Sequence, residues 1–245
     1  MIKKILDTIS FLTIIPAGKN RTITEQSAEY FPVVGFLMGI ILVLFNFLFD
    51  LAGIPLPAKS GLLIIILIIL NGGLHIDGFI DTMDGLSGST EKKRILEIMK
   101  DSRIGAKGAL AICCLLLLKY SLMVSIKSAV LPSLLLAGLT MSYWSIIFSA
   151  RYSGQYPRET GFGKIFINKI TKKQFIISCV ITVLVSYALL GFYGLGILLL
   201  VAGATHLATR YINKLIGGMT GDTFGALIEI MQVVILFFGV FIKKL

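Results

Sequence analysis

Along the chain, long uncharged runs alternate with short basic stretches, the pattern of a protein that crosses a bilayer several times. Residues 30–49 hold no charged side chain, and twenty helical residues span about 30 Å, the thickness of a hydrocarbon core. A second span is predicted over residues 59–83, opening with "SGLLIIILIIL", a third over 107–126 with Lys119 inside it, and a fourth over 128–150. Residues 174–209 carry no charge and would form about 54 Å of helix, too long for one crossing, so "GFYGLG" at 191–196 predicts a break into two passes. A last span is predicted over residues 224–242. Near the start, Ile5, Ile9 and Leu12 recur at helical spacing, which predicts an amphipathic helix over residues 1–15 lying on the membrane. The expected fold is an all-α, polytopic membrane helix bundle of about seven spans plus that interfacial helix, in one domain over residues 1–245.

Composition agrees with a membrane protein, with 56% hydrophobic residues against 15% charged. The first twenty residues have an interrupted apolar core and no small-residue cleavage site, so no cleaved signal is expected. Cys113, Cys114 and Cys179 sit inside apolar runs without metal-ligand spacing and read as packing residues. The net charge of +10 would point to nucleic acid in a soluble protein, but its placement explains it otherwise. With the N-terminus in the cytoplasm, 18 Lys and Arg fall inside and four outside, the four being Lys59, Lys127, Lys243 and Lys244. The basic loops therefore predict topology in the inner membrane and contact with lipid headgroups, and no nucleic-acid partner.

Candidate chemistry lies in the carboxylates. Asp77, Asp81 and Asp84 in "GGLHIDGFIDTMDG" (72–85) fall within an arc of about 60° on a helix, with small and apolar neighbours and no interleaved lysine. Glu97, Asp101 and Arg103 follow in a loop predicted to be cytoplasmic, and Asp222 and Glu229 open the last span. On the predicted topology all seven carboxylates, with Arg151 and Arg210, reach one membrane level. Oxygen ligands without thiols, in a chain with two histidines, suit Mg²⁺ or Mn²⁺ rather than zinc. Mg²⁺ favours few carboxylates plus substrate phosphates, which points to a diphosphate substrate, a nucleoside monophosphate leaving group and a carboxylate base. His75 and His206 read as structural, and Tyr143, Trp144, Tyr152 and Tyr156 as an aromatic belt.

Five stretches in order, "FPVVGFLMG" (31–39), "GGLHIDGFIDTMDG" (72–85), "EIMKDSRIGAKGALA" (97–111), "RY" with "GFGKIF" (151–152, 161–166) and "GGMTGDTFGALIE" (217–229), give the chain its resemblance to a known family. It resembles the cobalamin synthase, or adenosylcobinamide-GDP ribazoletransferase, family. The resemblance implies a Mg²⁺-dependent membrane enzyme that joins adenosylcobinamide-GDP to α-ribazole or its 5′-phosphate and releases GMP. It also implies association with itself or with other late cobamide-pathway enzymes. The family's acidic motif falls on Asp77, Asp81 and Asp84, with Glu97, Asp101, Arg103 and Asp222 as further candidates. Residues 152–160, "YSGQYPRET", show little family character, and none of them is assigned.

The resulting assignment places Asp77, Asp81, Asp84 and Asp222 on the metal and Asp84, Asp81 and Arg103 in catalysis, with Asp84 as proton acceptor. Glu97, Asp101, Arg103, Arg151, Arg210 and Glu229 are expected at the substrate. Two other functions make different demands on the sequence. A CDP-alcohol phosphotransferase needs an Ala-Arg pair where this chain has Asp81 and Thr82. A cation or vitamin transporter predicts acids near the bilayer midplane and broken helices in both halves.

Overall fold

The computed structural model describes residues 2–17, 24–167 and 169–242, so Lys19, Arg21, Lys243 and Lys244 of the charge count lie outside the described residues. Among those described, the chain is helical with no strand. Its α-helices are α1 (Ile2–Leu12), α2 (Phe31–Leu51), α3 (Leu56–Leu70), α4 (Leu74–Gly88), α5 (Lys92–Ile98), α6 (Ala106–Ser125), α7 (Leu131–Tyr152), α8 (Lys172–Ile216) and α9 (Gly221–Gly239). Five of them are long and apolar enough to cross a membrane, or six if the bent pair α3–α4 counts as one span.

α7 is the axis of the bundle. Its residues are buried on nearly all sides by α2, α8 and α9, as expected of a helix that is apolar all round. α2 approaches it closely through two glycines one turn apart, and a Cβ on Gly39 would lie 2.8 Å from the Leu136 Cα. Such small-residue contacts replace the hydrophobic driving force that lipid removes.

The predicted span over 59–83 is corrected by the structure. It is helical on both sides but turns by 90° at residues 71–73, because Gly72 (φ 59°) and Gly73 (φ 74°) adopt left-handed conformations. Two contacts hold the corner. The backbone amide of Ile14, just past α1, donates to the Leu70 carbonyl at 2.8 Å, and the buried Tyr143 hydroxyl of α7 donates to Asn71 Oδ1 at 2.7 Å. The predicted break near 191–196 is present at Gly191 (φ 57°, ψ −140°). The two arms of α8 run antiparallel, since Phe175 and His206 both pack edge-on against Tyr152, with ring centroids at 6.2 and 6.0 Å. In a straight helix those two residues would be about 46 Å apart.

Within the bundle, Lys119 of α6 forms an ion pair with Glu229 of α9 and donates to Gln232 Oε1 at 2.7 Å. Both charged side chains are at most 5% exposed. Removing one partner strands a charge among apolar side chains, whereas removing both does not. Lys119→Met alone is expected to cost about 3–5 kcal/mol of stability, with most of it recovered in Lys119→Met/Glu229→Leu. Thermal unfolding in detergent, followed by circular dichroism, measures both.

Candidate active site

At the end of the bundle where α9 begins, α4 packs against α9 and α6. The approach is set by glycine. A Cβ on Gly78 would lie 2.8 Å from the Asp222 carbonyl oxygen, and one on Gly225 would lie 3.2 Å from the His75 Cα. Thr220 caps α9, its hydroxyl accepting from the Thr223 amide at 3.2 Å, so Asp222 falls in the first helical turn. That turn presents the positive end of the helix dipole.

Asp77 and Asp222 line one cavity of about 210 Å³, whose wall also carries His75, Tyr156, Arg158 and Gly221. Asp81 borders this cluster, half-buried, with Asp77, Asp222, Arg158 and Asp84 as its charged neighbours. His75 is buried at the cavity wall, its Nε2 3.0 Å from the Tyr143 hydroxyl, which itself donates to Asn71. The structural reading of His75 agrees with this bond. Tyr143 is a buried hydrogen-bonding residue, not part of an aromatic belt.

Asp84 is held differently. Its Oδ2 accepts from the Gly105 amide at 2.8 Å and its Oδ1 from the Gly108 amide at 2.7 Å, so it caps the start of α6. Beside it opens a shallow groove that also carries Asp101, Arg103 and Lys107. Arg103 is exposed and doubly bonded to Asp101, with Nε to Oδ1 at 3.0 Å and Nη2 to Oδ2 at 2.7 Å. Those hydrogen bonds hold the Asp101 carboxyl at about 2, well below the usual carboxylate range. Lys107 donates to the Ser87 carbonyl and ties α6 to the end of α4.

The remaining expected residues are not brought to the cavity. Glu229 lies two turns along α9 from Asp222 and is paired with Lys119 inside the bundle, away from the level of the aspartates. Glu97 is exposed and pairs with Arg94 at 3.1 Å, one turn earlier on α5. Arg151 and Arg210 are exposed, and neither lines the cavity.

Arg158 is the residue that the sequence did not reveal. It lies in the segment left unassigned, yet its side chain is only 11% exposed and its Nη2 is 2.8 Å from Asp222 Oδ2. The segment is fixed to the core. Ser153 Oγ accepts from the Met219 amide at 2.9 Å, the Gly154 amide donates to Asn213 Oδ1 at 3.0 Å, and Phe166 packs edge-on against Phe31 at 5.2 Å. Burial pushes the Tyr156 hydroxyl above its ordinary value, so it faces the cavity as a neutral donor.

A Mg²⁺ ion fits the donor chemistry here, since every charged ligand in reach is a carboxylate. The described residues contain no preformed group of three or more His, Cys, Asp or Glu ligands. That accords with an ion that takes one or two carboxylates and completes its shell with water and phosphate.

The cobalamin-5-phosphate synthase family model matches residues 4–240. Adenosylcobinamide-GDP ribazoletransferase of Caldanaerobacter subterraneus subsp. tengcongensis is 34% identical over 239 residues, covering 95% of this chain and 96% of that one. The protein of the same name from Desulforamulus reducens is 37% identical over 234 residues (94% and 92%), and that from Citrobacter koseri 35% over 239 (93% and 95%). No solved structure matches the chain.

Capping of α6 by Asp84 has a direct readout. Asp84→Asn places an amide NH₂ against one of two backbone N–H groups, so amide exchange at residues 105–109 is expected to quicken by roughly tenfold or more, the loss of one charge-assisted hydrogen bond. Hydrogen–deuterium exchange with mass spectrometry measures it, and unchanged protection there would show that Asp84 does not hold α6.

Proposed function

Because the chain belongs to the cobalamin-5-phosphate synthase family, we propose that it joins adenosylcobinamide-GDP to α-ribazole, or to its 5′-phosphate, and releases GMP. The observation that carries this reading is the one cavity shared by Asp77 of α4 and Asp222 of α9, which are also charged neighbours of Asp81. A diphosphate is what such a cluster of oxygen ligands serves. We further propose that the bundle lies in the inner membrane with its N-terminus and this cavity at the cytoplasmic face. The placement of basic residues supports that orientation.

In the reaction, a ribazole hydroxyl oxygen forms a bond to the phosphorus that carries the cobinamide ester. The bridging P–O bond breaks, GMP leaves with the bridging oxygen, and the hydroxyl proton passes to a carboxylate. Asp77 and Asp222 would hold Mg²⁺, which would neutralise charge developing on the phosphoryl oxygens. Asp84 spends both oxygens on the α6 amides, so the role of proton acceptor passes to Asp81, whose carboxylate accepts no hydrogen bond among the described residues.

Membranes containing the protein, incubated with adenosylcobinamide-GDP, α-ribazole and Mg²⁺, are expected to yield the cobamide and GMP by mass spectrometry. Chelation should stop the reaction and added Mg²⁺ restore it. Asp81→Asn is expected to slow GMP release by about 10²-fold or more, the usual worth of a positioned base. Release at the wild-type rate would remove Asp81 from the chemistry, and absence of product from wild-type membranes would reject the function.

A further inference from the structure

Arg158 combines three properties that ordinary ion pairs lack. Its side chain is nearly buried, although it belongs to the connection between α7 and α8. It stands among carboxylates, in contact with Asp222 and electrostatically close to Asp81. Its fork is only partly engaged: Nη2 pairs with Asp222 Oδ2 at 2.8 Å, while Nε is buried without a hydrogen-bonding partner among the described residues.

Buried guanidinium donors without acceptors are costly, and the cost indicates a ligand. The cavity at this side chain measures about 210 Å³, roughly seven waters at about 30 Å³ each, which accommodates a phosphate or diphosphate. A planar guanidinium offers two parallel N–H groups to such a group. Gly221 lines the same cavity, and a Cβ on it would meet nothing within 4 Å.

We infer that Arg158 is an exchangeable cation: it neutralises Asp222 while the cavity is empty, and it turns its fork onto a phosphate of the nucleotide when a divalent cation takes its place on the carboxylates. This rests on the proposed function for the identity of the nucleotide. Two consequences have definite signs. Arg158 competes with the divalent cation for Asp222, so it weakens cation binding to the empty site. It binds phosphate better once released, so cation and nucleotide strengthen each other's binding.

The experiment uses the full chain in detergent and calorimetric titration with Mg²⁺ alone, GMP alone, and GMP in the presence of Mg²⁺. In Arg158→Gln, Mg²⁺ alone is expected to bind severalfold tighter and GMP with Mg²⁺ roughly tenfold weaker, the worth of one charge-assisted contact. In Arg158→Lys, which keeps the charge but loses the fork, Mg²⁺ affinity stays near wild type while GMP binding still falls. The lysine variant decides the matter even if the glutamine variant does not fold. Unchanged GMP affinity in Arg158→Lys, or Mg²⁺ binding that weakens in Arg158→Gln, would overturn the inference. The expected shifts in a protein whose wild-type membranes make no cobamide would uphold this exchange and reject only the proposed function.

Discussion

The contact between α4 and α9 at Gly78 and Gly225 is the constraint on which the site depends. Backbone meets backbone there, so no side chain separates the helix carrying Asp77 and Asp81 from the helix carrying Asp222. A single methyl at Gly78 would collide with the Asp222 backbone and drive the two acidic turns apart. Like charges so close repel one another, and their proximity must be held by something stronger. Packing of Phe79 of α4 with Leu115 of α6 and Ala226 of α9 supplies part of that hold. The Asp84 bonds to the α6 amides supply another.

The polar groups inside the bundle follow a second rule, that lipid offers them no partner. His75, Tyr143 and Asn71 form one chain of hydrogen bonds linking the cavity wall, the central helix and the α3–α4 corner. Lys119, Glu229 and Gln232 form another between α6 and α9. Both sets connect elements that carry or cap the acidic residues, so the interior polar residues and the site share one scaffold. Arg158 differs in being a charged group at the cavity, with Nε left without a hydrogen-bond partner among the described residues.

Much of this was legible in the sequence, and the rest has identifiable reasons for being hidden. Helical spacing correctly put Asp77, Asp81 and Asp84 on one helix, and "GFYGLG" marked the reversal of α8. The corner at Gly72 and Gly73 carries a turn signal in Asn71-Gly72-Gly73, but the absence of charge from 60 to 76 reads as one span, and hydropathy senses composition and not direction. Glu229 read as a site residue because an acid in a span signals function, while its partner Lys119 lies 110 positions away and only packing pairs them. Asp84 read as a base because capping by a residue outside the helix leaves no local pattern. Arg158 was passed over because its segment has no periodicity and little family character, and its position comes from Ser153, Gly154 and Phe166 anchoring the connection.

The buried Lys119–Glu229 pair also bears on how the chain is made. Synthesis proceeds from the N-terminus, so α6 enters the membrane carrying an ammonium group well before α9 brings its carboxylate. In the interval the hairpin of α8 inserts, and the polar residues of its first arm find partners within that arm. Ser178, Thr182 and Ser186 each bond a carbonyl of their own arm at 2.6–2.8 Å. α8 can therefore settle early, while α6 stays next to the insertion machinery or a wet interface until its counter-charge arrives.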